Sequence, residues 1–264
     1  MELSTAAEAA GFQLLHVTRA ESTNEAALKA VQAGVDRFWV VADEQTAGRG
    51  RHGRAWQSPP GNLYASLGLL APCPPASSPL LGFVAGLSLA EAVTALSPAL
   101  KGALRLKWPN DCLIDGAKCA GILLEGTSLP GSKTGIAIGM GVNVMHFPEG
   151  LDQRATALSA HMREIDAAML FEALSARMAA NLDLFDRGAG FEAIRQGWLA
   201  HALPEGTRLR VRLPAGEKQG AFAGLDPTGH LLLETNGTTE TIMVGDVFPI
   251  GDVLSPEAAM RTVG

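Results

Sequence analysis

The feature that most constrains the fold is a change of sequence texture near residue 205. Before it, β-rich runs alternate with amphipathic stretches, whereas after it short apolar runs alternate with turns such as Asp226-Pro-Thr-Gly229 and Asn236-Gly237. Short strands separated by turn residues are typical of a small β-barrel. We therefore predict two domains, residues 1–205 and residues 206–264, with the boundary at Pro204-Glu-Gly206.

The first domain mixes helices and strands in an α+β order. Periodicity and capping signals predict helices at about 22–33, 80–96, 166–187 and 191–200. Strands are expected at 12–17, 38–43, 63–70, 104–108, 112–114, 118–125 and 134–144. In the second domain, the expected strands are 208–213, 220–225, 230–234 and 240–244.

Composition excludes several classes of protein. Apolar residues make up 47% and charged residues 18% of the 264 residues, which is globular rather than disordered. A net charge of −6 argues against a surface that tracks nucleic acid. Prolines interrupt the uncharged stretch at 55–90, so we predict no membrane span. The start has no signal-peptide pattern, and the three cysteines form no CxxC, so a reduced cytoplasmic protein is expected.

A glycine- and arginine-rich loop carries the strongest chemical signal. The segment Gly48-Arg-Gly-Arg-His-Gly-Arg-Ala-Trp56 contains the GxGxxG dinucleotide fingerprint. That fingerprint must open a helix, and the continuation Gln57-Ser-Pro-Pro-Gly61 cannot form one. What remains is a flexible loop whose guanidinium groups suit carboxylate or phosphate. A merely solvated basic loop is the alternative.

A second segment places polar side chains at the end of a strand. In Lys107-Trp-Pro-Asn-Asp111 the proline turns the chain, so Lys107, Asn110 and Asp111 are presented together. Lys118 then begins an otherwise apolar strand, where its amine reaches either solvent or a pocket. A lysine at the edge of a sheet is the plainer interpretation.

Together these segments resemble the biotin protein ligase family. The family pattern is GRGRxGRxW, then KWPND, then KxAGILxE, and this chain has all three in that order, ending in Lys118-Cys-Ala-Gly-Ile-Leu-Leu-Glu125. A GxGxN motif follows as Gly139-Met-Gly-Val-Asn143. The resemblance spans roughly residues 12–250. It implies an α+β catalytic domain with a mixed sheet, followed by a small SH3-like barrel.

The resemblance also implies roles for individual residues. The biotin pocket is expected to contain Ser22, Thr23, Asn24, Gln45, Arg49, Gly50, Arg51 and Lys118. ATP is expected to contact Arg54, Trp56, Lys107, Asn110, Asp111 and Asn143. Lys118 and Arg51 are the expected catalytic residues, and Asp111 is the expected ligand of Mg²⁺. Plainer interpretations exist for Ser22 as a helix cap, Trp56 as a packing anchor and Asn143 as a partner of local backbone.

The implied reaction is ATP-dependent formation of biotinyl-5′-AMP, followed by transfer of biotin to a lysine of a carrier domain. That partner is the biotin carboxyl carrier domain of acetyl-CoA carboxylase or a related enzyme. A lipoate or octanoate ligase is the competing enzyme class, but its motif lacks KWPND. Some relatives are also transcriptional repressors, yet only about eleven residues precede the first expected strand, so no DNA binding is expected. The chain is expected to be a monomer or a homodimer.

Overall fold

The computed structural model describes residues 1–150 and 153–250, so part of the expected second domain, residues 251–264, lies outside the described residues. The elements of the first part of the chain are, in order, α1 (Thr5–Ala9), β1 (Gln13–Ala20), α2 (Thr23–Gln32), β2 (Phe38–Gln45), β3 (Leu63–Leu70), α3 (Leu81–Leu96), β4 (Leu104–Lys107), β5 (Asp111–Ile114), β6 (Ala117–Leu129), β7 (Lys133–Val142), α4 (Ala167–Phe185) and α5 (Phe191–Ala200).

Strands β1 to β7 form one mixed sheet in the order β1-β2-β3-β7-β6-β5-β4. Only the β1–β2 pair is parallel among the paired strands described, and α2 makes the crossover between them. This agrees with the rule that parallel neighbours need a long connection, whereas antiparallel neighbours can be joined by tight turns. The turn between β4 and β5 contains a cis peptide bond between Trp108 and Pro109.

The two faces of the sheet are covered differently, because successive strand residues point to opposite sides. On one side Ala27 of α2 packs with Val40 and Ala137. On the other side Trp39 meets Phe171 of α4 edge to face, with ring centroids 5.3 Å apart. The large core lies on that second side, beneath α3, α4 and α5. The first side, at the start of α2, is therefore left available for polar side chains.

Helix α3 lies within this core. The segment Pro75–Leu96 is long and apolar enough to cross a membrane by length and composition alone, and 61% of its most apolar window is buried inside the fold. Phe83 of α3 packs edge to face against Phe191 and Trp198 of α5. The apolar surface of α3 therefore packs against another helix of the fold.

The C-terminal part is an antiparallel sheet of β8 (Arg208–Leu213), β9 (Gly216–Leu225), β10 (Leu231–Thr235), β11 (Thr238–Ile242) and β12 (Asp246–Pro249). Its described strands follow the order β11-β10-β9-β8-β12. The expected α+β class, with a small C-terminal β-domain, is confirmed. The sequence prediction omitted β12, which pairs with β8. The backbone oxygen of Val247 in β12 accepts a hydrogen bond from Lys107 of β4.

Candidate active site

A cavity of about 780 Å³ lies between the start of α2, the sheet, the glycine/arginine loop and the C-terminal sheet. Every residue that the sequence assigned to a ligand lines it. These residues are Ser22, Thr23, Asn24, Gln45, Arg49, Gly50, Arg51, Arg54, Trp56, Lys107, Asn110, Asp111, Lys118 and Asn143. Segments far apart in the chain thus meet at one site.

The start of α2 supplies a fixed set of polar groups. Ser22 is the N-cap residue, and its hydroxyl accepts a hydrogen bond from the Glu25 amide. Thr23 donates from both its amide and its hydroxyl to Gln45 Oε1, at 2.9 and 3.0 Å. The amide nitrogen of Gln45 in turn donates to Ser58 Oγ at 3.0 Å. These hydrogen bonds fix the orientation of the Gln45 side-chain amide, with its oxygen toward Thr23 and its nitrogen toward Ser58.

Asn24 is held more tightly. Its Nδ2 donates to Leu123 O at 3.2 Å and to Glu125 Oε2 at 2.8 Å, while Ser66 donates to its Oδ1 at 2.6 Å. A Cβ atom placed on Gly139 would lie 2.2 Å from that Oδ1. Glycine is therefore required at position 139 for Asn24 to occupy this place.

The indole of Trp56 packs directly on two glycines, Gly121 of β6 and Gly141 of β7. A Cβ atom on Gly141 would lie 2.6 Å from the indole, and one on Gly121 would lie 3.2 Å from it. The buried Trp56 Nε1 has no hydrogen-bond partner in residues 1–150 and 153–250. A buried donor without a partner is uncommon in folded proteins. The position thus combines the packing interpretation of Trp56 with an N–H that a ligand could satisfy.

An ionic triad, Lys107, Asp111 and Lys118, forms one wall of the cavity. The ammonium groups lie 2.8 and 2.5 Å from the two oxygens of Asp111, which is 8% exposed. Burial would raise the pKa of Asp111, but the charges and hydrogen bonds of Lys107 and Lys118 outweigh it and lower the pKa to about 2. The carboxylate therefore stays ionised at neutral pH, and the triad keeps one net positive charge.

This arrangement bears on the expected metal role of Asp111. Both of its oxygens are already paired with ammonium groups. The described residues contain no group of three or more His, Cys, Asp or Glu side chains that could hold a metal ion. A magnesium site built on protein ligands needs free carboxylate oxygens. The donor set around Asp111 does not fit a resident Mg²⁺.

The glycine/arginine loop folds back on itself. Gly50 N donates to Arg54 O at 2.7 Å, and Trp56 N donates to Gly48 O at 2.9 Å. Arg49 points toward Glu125, with its Nη2 3.2 Å from Oε1, and lies 3.9 Å from Glu25. The guanidinium expected in the biotin pocket is thus paired with protein carboxylates in this structure.

Arg51 and Arg54 reach the C-terminal sheet instead. Arg51 donates to Asn110 Oδ1 and to Gly245 O, both at 3.2 Å, and lies 3.3 Å from Asp246 Oδ1. Arg54 donates to the other oxygen of Asp246. The loop is consequently connected to both parts of the chain.

Asn143 behaves as the plainer interpretation predicted. Its side-chain amide donates to Thr156 O at 3.1 Å, and only 3% of the residue is exposed. The side chain therefore bonds to local backbone and also lines the cavity.

The sequence missed the contribution of β12 and β8 to the cavity. Phe248 lies 5.7 Å from Lys107 Nζ and 5.2 Å from the guanidinium carbons of Arg210 and Arg212, which are cation–π distances. Lys107 also donates to Val247 O at 2.8 Å. Strand β12 has only four residues and carries no recognisable motif. Its contribution to the cavity is therefore visible only in the tertiary structure.

Comparison with known proteins gives a consistent result. Residues 17–143 match the Biotin/lipoate A/B protein ligase family, and residues 206–248 match the Biotin protein ligase C terminal domain. The chain is 36% identical to a biotin--[acetyl-CoA-carboxylase] ligase of Paracoccus denitrificans, covering 88% of this chain and 98% of that protein. It is 34% identical to the enzyme of that name from Mycobacterium tuberculosis, covering 89% and 88%.

Solved structures are similar over nearly the whole chain. The biotin protein ligase from Aquifex aeolicus in complex with biotin and ATP has a TM-score of 0.75 and 29% identity, covering 89% of this chain and 97% of that one. The ligase from Leishmania major in complex with biotinyl-5-AMP has a TM-score of 0.61 and 27% identity, covering 88% and 99%.

Proposed function

The chain belongs to the biotin protein ligase family, and from that premise we propose how its cavity acts. The enzyme joins biotin to ATP as biotinyl-5′-AMP, and then transfers the biotinyl group to a lysine of a biotin carboxyl carrier domain. The observation that carries this proposal is the convergence of the three motif segments on one cavity of about 780 Å³.

In the first step a carboxylate oxygen of biotin attacks the α-phosphorus of ATP, and pyrophosphate leaves. Two anionic reactants must approach each other, so fixed positive charges stabilise the transition state. Their effect is larger in a site shielded from water than it would be in bulk water. Lys118 supplies it in the proposal. Its side chain is 25% exposed at the cavity wall, and Asp111 holds its ammonium at 2.5 Å. Because Asp111 also holds Lys107, both ammonium groups are positioned before substrates bind.

Magnesium enters this proposal as part of the substrate Mg-ATP, because the donor set around Asp111 does not fit a resident ion. The chain's own groups contribute cations and hydrogen-bond donors. Arg51 and Lys107 both line the cavity beside Asn110, and we assign them to the phosphates.

In the second step the amine of the carrier lysine attacks the carbonyl carbon of the adenylate, and AMP leaves with the bridging oxygen. The adenylate is a mixed anhydride that water would hydrolyse, so the site must exclude water until the amine arrives. The glycine/arginine loop lines the cavity and is connected to both sheets, which suits that role. By analogy with the named relatives, we propose the carrier domain of acetyl-CoA carboxylase as the acceptor.

The direct test is incubation with biotin, Mg-ATP and a purified carrier domain, followed by mass analysis of the intact carrier and its peptides. We expect one biotinyl group on one lysine, and no product without ATP. A parallel incubation with lipoate separates this enzyme from the lipoate ligases. Lipoylation without biotinylation would contradict the proposal.

A further inference from the structure

Residues 245–248, which include the start of β12, contact the cationic side chains of the cavity at four successive positions. Gly245 O accepts from Arg51, and Asp246 pairs with Arg51 and Arg54. Val247 O accepts from Lys107, whose ammonium also lies 5.7 Å from the Phe248 ring. These contacts join the C-terminal sheet directly to groups assigned above to the phosphates.

Asp246 is placed to orient two arginines at once. One oxygen lies 3.3 Å from Arg51 Nη1 and 3.8 Å from His52 Nε2, while the other accepts from Arg54. Strand pairing with β8, where Asp246 lies opposite Arg212, fixes its backbone. The carboxylate is therefore anchored in the C-terminal sheet, whereas its partners lie on the glycine/arginine loop between β2 and β3.

The burial and charge of Asp246 and Arg51 favour a positioning role for Asp246 over that of a solvent-exposed ion pair. The Asp246 side chain is 15% exposed and that of Arg51 is 23% exposed, so their interaction is only partly screened by water. Burial would raise the pKa of Asp246, but the hydrogen bond and charge of Arg54, together with Arg51 and His52, lower it. The carboxylate is ionised throughout the neutral range.

Arg51 also shows what this orientation achieves. Its Nη1 lies between Asn110 Oδ1 and Asp246 Oδ1, and its Nη2 donates to Gly245 O. A guanidinium held by several acceptors loses little rotamer freedom when a substrate binds, because that freedom has already been lost in folding. The loop is thereby ordered from the C-terminal side.

We propose that Asp246 is a positioning residue for adenylate formation and retention, acting through Arg51 and Arg54 to hold the glycine/arginine loop over the cavity. This inference rests on the proposed function and adds a specific contribution of the C-terminal sheet to it. Asp246 contacts no reacting atom in the proposal.

The first experiment measures the loop without using activity. Trypsin cleaves after arginine, so the rate of cleavage after Arg51 and Arg54, followed by mass spectrometry, reports how well the loop is held. Asp246→Asn should be cut about tenfold faster than the parent, the change expected for losing one hydrogen bond between charged groups. Asp246→Glu keeps the charge and should restore most of the protection.

The matched control is Glu240→Gln, because Glu240 is also a carboxylate of the C-terminal sheet and pairs with Lys218 instead of the loop. It should be cut at the parental rate. Equal cleavage of Asp246→Asn and Glu240→Gln would overturn the proposal.

The second experiment measures release of preformed biotinyl-5′-AMP after dilution. Asp246→Asn should release it about tenfold faster in the parent background and much less so in an Arg51→Ala background, because coupled residues give non-additive effects. A similar effect in both backgrounds would overturn the proposal. A parent enzyme that forms no adenylate would contradict the proposed function itself, while the proteolysis result would still report on the loop.

Discussion

Substituting alanine for Gly139 tests the packing of β7 against Asn24 in the cavity. The new Cβ atom would lie 2.2 Å from Asn24 Oδ1 and 2.8 Å from its Cγ, far inside normal contact. Asn24 is only 5% exposed and accepts or donates three hydrogen bonds, so it must move and weaken them. Overpacking a core costs roughly 1–3 kcal/mol, and each buried hydrogen bond contributes about 1 kcal/mol.

We therefore expect Gly139→Ala to lower the free energy of unfolding by about 3 kcal/mol. For a chain of this size that lowers Tm by roughly 10 °C. Because Asn24 lines the cavity, the affinity for biotin should fall at least about tenfold, the equivalent of 1.4 kcal/mol. Thermal unfolding and calorimetric titration with biotin measure the two effects.

Gly126→Ala is the matched control. Gly126 lies on the neighbouring strand β6, and a Cβ atom there would meet its nearest neighbours at an ordinary 3.6 Å. Both substitutions reduce the freedom of the unfolded chain alike, so their difference isolates the contact with Asn24. Unchanged stability and biotin affinity in Gly139→Ala would refute this account of the contact between Gly139 and Asn24.

Three further predictions concern the charged groups. Lys118→Met should lower adenylation about 100- to 1000-fold, whereas Lys101→Met, outside the motifs, should not; equal small losses in single-turnover assays would make Lys118 a strand-edge residue. Arg51→Gly should still form biotinyl-5′-AMP, more slowly, but release it faster, so that bystander albumin becomes labelled; unchanged release would mean that Arg51 does not retain the intermediate. Because the pKa of Asp111 is lowered to about 2, its contribution to stability is present above pH ~4 and is lost as the pH falls toward 2. The free energy of urea unfolding should therefore fall more steeply between pH ~4 and ~2 in the parent than in Asp111→Asn, and identical pH slopes would contradict the triad.

The elements with strong local signals could be predicted well from the sequence. The predicted strands 63–70 and 208–213 and the predicted helix 191–200 have the bounds that the structure gives. The resemblance also identified residues that line one cavity, although their spacing in the chain spans more than a hundred residues. Motif residues are recognisable because each needs a particular chemistry at a particular place.

The missed elements depend on tertiary contacts. Helix α1 has five residues, too few to be stable alone, and Ser4 at its start hydrogen-bonds Ser175 of α4. Strand β12 has four residues, and its pairing with β8 defines it. Asp246 was therefore not predicted as part of the site. The pairing of Arg49 with Glu125 was not predicted either, because it joins residues 76 positions apart.

The central claim is that biotin's carboxylate attacks the α-phosphorus of ATP in this cavity. Biotin labelled with oxygen-18 at both carboxylate oxygens tests it, with Mg-ATP and a carrier domain present. Attack at the α-phosphorus puts one biotin oxygen into the bridge of the mixed anhydride, and the later attack of the lysine leaves that oxygen on AMP.

We predict AMP carrying one labelled oxygen, and a biotinyl-lysine amide carrying the other, both read by mass spectrometry. Label in inorganic phosphate with formation of ADP would instead indicate attack at the γ-phosphorus. That result, or biotinylated carrier with unlabelled AMP, would contradict the account.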